Sequence, residues 1–170
     1  MHVAPEVFEK LTSRFGAQDW KKSESAKSGN IRVVVPTARI FDYLKFLKED
    51  CGFDFLSDIT AVDYLYYRGA RDRFGLVYTL VNTSSGDRLV VKCFLNEPDL
   101  TVPSAWPLWK GSNWMEREVF DMFGIVFDGH PDLRRILCPE EFAGHPLRKD
   151  YPLRGRGERH NFQRLERQQG

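Results

Sequence analysis

Between Trp114 and Tyr151 charged residues, aromatics, glycines and prolines alternate with almost no neutral filler. A surface helix tolerates freer composition, so most positions here are expected to have a defined physical job, with the rest of the chain as their platform. Ser104 can cap a helix through its hydroxyl, and Pro107 fits the first turn, where a missing N–H costs nothing. Gly111 and Asn113 weaken the middle, so the helix is expected to restart near Ser112. From Trp114 the pattern is firmer, and Gly124 is a natural stop in the left-handed conformation. Phe120 and Phe123 share one face, with Glu116 four residues before Phe120. Glu118 and Asp121 share another, and Arg117 is placed to reach Asp121 at a spacing of four. Two carboxylates on one face repel unless cations meet them. Arg134 and Arg135 follow a turn at Asp128-Gly129 and Pro131, and are expected to fold back to meet them.

The platform reads as alternating helices and strands. Pro5 starts an amphipathic helix with Val7, Phe8, Leu11 and Phe15 on one face, ending near Gly16. Residues 21–30 are polar and Lys/Ser-rich, and read as a loop. Ile31 to Val35 is β-branched, a strand stopped by Pro36. Thr37 then caps a second helix that buries Ile40, Phe41, Leu44 and Leu47 and closes at Cys51-Gly52. Residues 53–57 form a short extended link, and 61–67 a Tyr-rich strand. After a turn at 68–72, strands over 74–81 and 89–95 pair across the turn-rich run 82–87. Residues 96–103, with two prolines, read as a loop into the helix at Ser104. This order predicts an α+β fold: a small, mostly antiparallel sheet with helices packed on one face.

The prediction divides the chain into an α+β domain over residues 1–127 and an irregular, Pro-rich C-terminal extension over 128–170. The extension carries Pro131, Pro139, Pro146 and Pro152 and shows little regular period. Forty residues without regular structure are rare inside a compact domain. Yet Leu133, Ile136, Leu137, Phe142, Leu147, Tyr151 and Leu153 are too apolar for a free tail. Such a segment either wraps its own domain or lies along a partner. The basic, polar end from Arg154 to Gly170 is expected to order in an assembly.

Several chemistries fit poorly. A net charge of +1 supplies no field to recruit nucleic acid or an acidic membrane. No apolar run approaches the roughly 18–20 residues needed to span a bilayer, and the start lacks a secretory pattern. Cys51, Cys93 and Cys138 are odd in number and widely spaced, which argues for a reducing cytoplasm and against a disulfide framework. An iron–sulfur cluster wants about four clustered thiolates. Zinc on His130, Cys138 and His145 matches no compact spacing, and both histidines precede prolines, where they can hold turns. Glu116, Glu118, Asp121 and His130 could form an acid–base site, but an ion network with Arg117, Arg134 and Arg135 that fixes register between surfaces is the preferred reading. Trp106, Trp109 and Trp114 read as a core plus a docking surface, since Trp is enriched in interface anchors.

Three blocks carry a resemblance over about forty residues: Glu116-Arg117-Glu118-x-x-Asp121-Met-Phe-Gly124-Ile, Gly129-His130-Pro131-Asp-Leu133-Arg134-Arg135-Ile-Leu137, and Gly144-His145-Pro146-Leu-Arg148-Lys149-Asp150-Tyr151-Pro152. In order and spacing they closely resemble the C subunit family of bacterial NADH-quinone oxidoreductase, respiratory complex I. The resemblance is weaker over residues 3–103, and nothing is carried over beyond Gly155. It implies a non-catalytic, cofactor-free scaffold in the hydrophilic arm of an enzyme that passes electrons from NADH through FMN and Fe–S clusters to quinone and couples this to proton translocation. It implies a separate quinone-pocket (D) subunit and nearby Fe–S subunits as partners, no nucleic acid, and a peripheral position on the cytoplasmic face of the bacterial inner membrane. The matching residues Glu116, Arg117, Glu118, Asp121, His130, Arg134, Arg135, His145, Arg148, Lys149, Asp150 and Tyr151 are then structural and interfacial. Two alternatives stay open: a related scaffold in a membrane-bound hydrogenase or other quinone dehydrogenase, and a free-standing metal-dependent enzyme using the acidic cluster with His130.

Overall fold

The computed structural model describes residues 3–24 and 31–157. Its elements are α1 (Pro5–Phe15), β1 (Lys21–Glu24), β2 (Ile31–Val34), α2 (Ile40–Glu49), β3 (Phe55–Asp63), β4 (Phe74–Val81), β5 (Arg88–Leu95), β6 (Thr101–Pro103), α3 (Ser112–Phe123) and β7 (Val126–Asp128). A five-stranded sheet runs β1-β2-β5-β4-β3, and β6 pairs with β7. Within the larger sheet β2–β5 is parallel and the other three pairs are antiparallel, so the α+β class holds.

Strict alternation builds the core. Val33, Val91, Tyr78 and Ile59 lie in register across four strands and are all buried. A register shift between Leu56 and Asp58 lets Leu56 and Ile59, three apart, both face inward. Onto this face pack Val7 and Leu11 of α1, Ile40, Tyr43, Leu44 and Leu47 of α2, and Val119, Met122 and Phe123 of α3. Each large side chain so buried contributes about 1.5–3 kcal/mol. Tyr43 takes the inward position expected for Phe41; its ring stacks on Phe15 at 3.8 Å.

Several boundaries differ from the sequence reading. Residues 21–24, read as loop, form an edge strand; its four residues are exposed, so no apolar alternation betrays it. The rest of that segment, 25–30, lies outside the described residues, as does the end of the extension, 158–170. Thr37 opens a 3-10 turn (Thr37–Arg39) and does not cap α2; its hydroxyl donates to the Phe94 carbonyl at 2.5 Å. The third strand begins at Phe55 and ends at Asp63, so the link at 53–57 is largely strand and the tyrosines at 64–67 form the turn. Residues 101–103, read as loop, pair in parallel with β7. Three-residue strands are too short for periodicity to reveal. That pairing ties the entrance and exit of the α3 region together, and the Ser104 N–H donates to the Asp128 carbonyl at 2.8 Å.

Candidate partner-binding site at the end of α3

The helix expected from Ser104 begins at Ser112, the restart point that Gly111 and Asn113 suggest. Ser104 is no cap. Its hydroxyl donates to Glu116 at 2.6 Å and accepts from the Trp106 N–H at 3.1 Å. The Ala105 N–H donates to the other Glu116 oxygen at 2.6 Å. Glu116 is fully buried, and this desolvation pushes its carboxyl up to about 7 against the pull of these donors. The cations expected to meet it are engaged elsewhere: a hydroxyl and an amide do the work.

Asp121 is the second buried carboxylate. One oxygen accepts three successive N–H groups, from Ile136 at 3.0 Å, Leu137 at 2.8 Å and Cys138 at 2.8 Å. The other accepts from the Arg135 guanidinium at 2.6 Å. Burial raises this carboxyl, but the four donors outweigh it and hold the group below its ordinary range. Arg117 does not reach Asp121. Nearly buried, it donates to the carbonyls of Arg134 at 3.1 Å and Arg135 at 3.0 Å, with Trp114 beneath its guanidinium. Arg135 does fold back as expected, and also donates to the Gly144 carbonyl at 2.9 Å. Arg134 pairs with Asp132 at the surface, and Glu118 faces solvent.

The last four carbonyls of a helix lack intrahelical partners, and their partial negative charge attracts donors. In α3 all four are met. The Gly124 N–H takes Phe120 at 2.8 Å, His145 Nδ1 takes Asp121 at 3.0 Å, the Leu147 N–H takes Met122 at 3.1 Å, and Arg148 Nε takes Phe123 at 2.6 Å. The Gly144-to-Pro152 block is therefore a C-terminal cap supplied from twenty residues downstream. Gly124 adopts φ 77°, ψ 22°, and a Cβ there would lie 2.6 Å from His145 Nε2 and 2.8 Å from Arg148 Nη2. The stop residue must be glycine for its backbone and for its bareness alike. Burial, with Arg148 and Arg135 nearby, lowers the His145 pKa, which favours the neutral ring.

A clasp that the sequence reading missed holds the far end. Asp63, inward at the end of β3, accepts the Lys149 N–H at 2.8 Å. Arg73 lies 2.7 Å from Asp150, 2.5 Å from Glu97 and 3.6 Å from Asp63, while Arg148 reaches Glu97 at 2.8 Å. The Arg73 guanidinium holds the Asp150 carboxyl below its ordinary range. A carboxylate at an inward position of the alternation Ile59, Ala61, Asp63 was the available signal. Tyr151 packs its ring 5.7 Å from Phe142 and close against bare Gly144.

His130 holds a turn: Nε2 contacts the Asn113 carbonyl at 3.1 Å and Nδ1 accepts the Asp132 N–H at 3.0 Å. Glu116, Glu118, Asp121 and His130 thus face four different surroundings and do not converge. Among the described residues, no three His, Cys, Asp or Glu side chains are grouped to hold a metal ion.

Residues 33–157 match the model of the respiratory-chain NADH dehydrogenase 30 kDa subunit. The C subunit of the NADH-quinone oxidoreductase of Trichlorobacter lovleyi is 48% identical over 149 residues, covering 88% of this chain and 90% of that protein. A solved trypsin-resistant fragment of Nqo5 superposes with a TM-score of 0.67 at 38% identity, over 74% of this chain and 98% of the fragment. A chain of an archaeal membrane-bound sulfane sulfur reductase gives a TM-score of 0.73 at 25% identity, over 97% of this chain and 94% of that one. With its C-terminal cap and family signature in place, the chain belongs to the 30 kDa subunit family of respiratory-chain NADH dehydrogenases, the C subunits of NADH-quinone oxidoreductases.

Proposed function

We propose that this chain is a non-catalytic scaffold of the hydrophilic arm of complex I, and that its strap, residues 128–170 on a domain of residues 1–127, completes an interface with other subunits. Membership of NADH-quinone oxidoreductase implies FMN and Fe–S clusters in the whole enzyme. The described residues fit neither: Cys51 follows α2, Cys93 lies within β5 and Cys138 on the strap, and among them no phosphate-binding glycine loop follows a strand. The observation that carries the reading is where the signature residues direct their hydrogen bonds. Asp121, Arg135, His145 and Arg148 bind the backbone or one another, fixing the strap's shape. What the strap then presents outward is apolar and charged: Leu137, Leu147, Leu153 and Arg134, beside the exposed ring of Trp114. Exposed leucines gathered near a Trp and an Arg suit a protein partner. The proposed partners are the quinone-pocket subunit and adjacent Fe–S subunits, on the cytoplasmic face of the membrane. No helix among the described residues is long and apolar enough to cross a bilayer, so contact with it would run through the complex. Electron transfer tolerates little change in carrier spacing, which makes rigid packing useful even without ligands.

The test is Arg135→Ala or Asp121→Ala in the chromosomal copy, read on native gels with reductase activity normalised to intact complex. Less assembled complex with unchanged normalised activity supports the scaffold; normal assembly with lost turnover overturns it. Likeness to the sulfane sulfur reductase chain favours a second reading, a scaffold of a related respiratory membrane complex. Co-purified flavin- and NADH-binding subunits select the first reading, and hydrogenase-type modules the second.

A further inference from the structure

The helices cover one face of the main sheet; among the described residues no helix or strand packs on the other. On it Lys21, Val34, Lys92, Val77 and Thr60 stand in register across all five strands. Arg32 and Arg88 share this face, whereas Asp58 is its one carboxylate among the described residues, a balance of four cations to one anion. Between the charges the surface is Val and Thr, with Val62 and Phe55 exposed at its β3 edge (38% and 53%). The whole chain carries a net charge of only +1, so this bias is local.

Lys92 is built in. Its stem lies over Gly75, where a Cβ would come within 2.7 Å of the lysine Cε and 2.9 Å of the Tyr64 ring. Its ammonium donates to the Tyr64 hydroxyl and sits 4.6 Å from the Tyr64 ring centroid and 4.8 Å from that of Phe94. The ion pairs among the described residues do not include it. Two rings and a phenol therefore hold the cation in one place without supplying a counter-ion. Fixed geometry lowers the ordering cost of binding an anion there.

We propose that this open sheet face is a docking surface for an acidic, amphipathic segment of a neighbouring subunit, with a partner carboxylate on Lys92 and apolar side chains on the valine rows. This rests on membership of a respiratory complex and adds a second contact surface, on the side of the sheet opposite the helices. Apolar contact supplies area, and the charges supply register and choice of partner.

The experiment places a photo-crosslinking phenylalanine analogue at Thr60, exposed in the centre row, and a control at Asp42 on α2, in the intact complex purified from membranes. A light-dependent adduct from Thr60 to a peptide of another subunit bearing two or more Asp or Glu is expected, with none to that peptide from Asp42. R32E/K92E should lower that adduct roughly tenfold and R32Q/K92Q less, as loss of an interfacial charge pair does. Adducts only to lipid, only to a second copy of this chain, or none in an assembled complex overturn the proposal. A chain absent from the purified complex instead overturns the membership reading beneath it.

Discussion

Two acidic residues five positions apart on α3 illustrate how local donors decide the behaviour of a buried charge. Asp121 is met by Arg135 and three amides, so Asp121→Ala leaves a guanidinium without its carboxylate and three N–H groups without their acceptor. A loss of roughly 3–5 kcal/mol in urea unfolding is expected. The exchange D121R/R135D should not rescue it, because the carboxylate serves the 136–138 backbone as well as the arginine; recovery to within about 1 kcal/mol of the parent would reduce the site to a simple ion pair. Glu116 has the opposite sign. Its folded pKa, raised to about 7, lies above the unfolded value. Its contribution is therefore fully present below about pH 4.5 and is lost as pH rises through 7. In Glu116→Gln the amide oxygen can still accept from Ala105, and its NH2 can donate to Ser104 Oγ, so this pH-dependent loss should vanish with little cost at pH 8. Unfolding midpoints of parent and variant from pH 5 to 8 check it, since His145 titrates in both and cancels in the difference. Parallel pH curves would contradict the raised pKa.

At the scale of elements, α3 ends as it does because the Gly144-to-Pro152 block returns to cap it. Gly124→Ala should cost about 1–2 kcal/mol from the left-handed backbone alone, and more because the new methyl displaces His145 and Arg148. The expected readout is faster tryptic cleavage at Arg148 and Lys149 in the folded chain; unchanged cleavage would mean that the cap does not hold the strap. Helix α3, its glycine stop, the hairpin to within a residue, the inward face of α1 and that of α2 apart from Tyr43 were legible because periodicity and turn chemistry report them directly. Strands β1 and β6 were not. One has no buried side chain and the other has three residues, so each is defined by the backbone of a distant partner. Arg117 was misassigned for a similar reason. Spacing permitted an i to i+4 pair, but carbonyls at 134 and 135, invisible to helix arithmetic, claimed the side chain first.

The molecule as a whole is a sheet-and-helix body with a strap anchored at two points. One anchor is Asp121 with the end of α3; the other is the cluster of Asp63, Arg73, Glu97, Arg148 and Asp150 at the strand ends. The first could be read in part from the sequence, since Arg135 and Asp121 lie within one dense stretch. Of the second, the sequence marks only Asp63, a carboxylate in an inward apolar alternation; its partner Lys149 lies 86 positions later, a separation that no local pattern encodes. Contacts of such long range are costly to form singly, as each must offset the entropy of closing a long loop. Once one anchor holds, the loop is short and the other forms at little further entropic cost. The anchors should therefore act together. Asp121→Ala and Asp150→Ala are each expected to destabilise the chain, the second by less because Asp150 is half exposed and its pair is solvent-screened. In the double variant the strap is already released by the first change, so the combined loss should fall short of the sum by about 0.5–1 kcal/mol or more. Equilibrium unfolding of the four proteins measures this directly. Strict additivity would mean two independent latches, and a neighbouring protein could then displace the far end of the strap while the α3 cap stays closed.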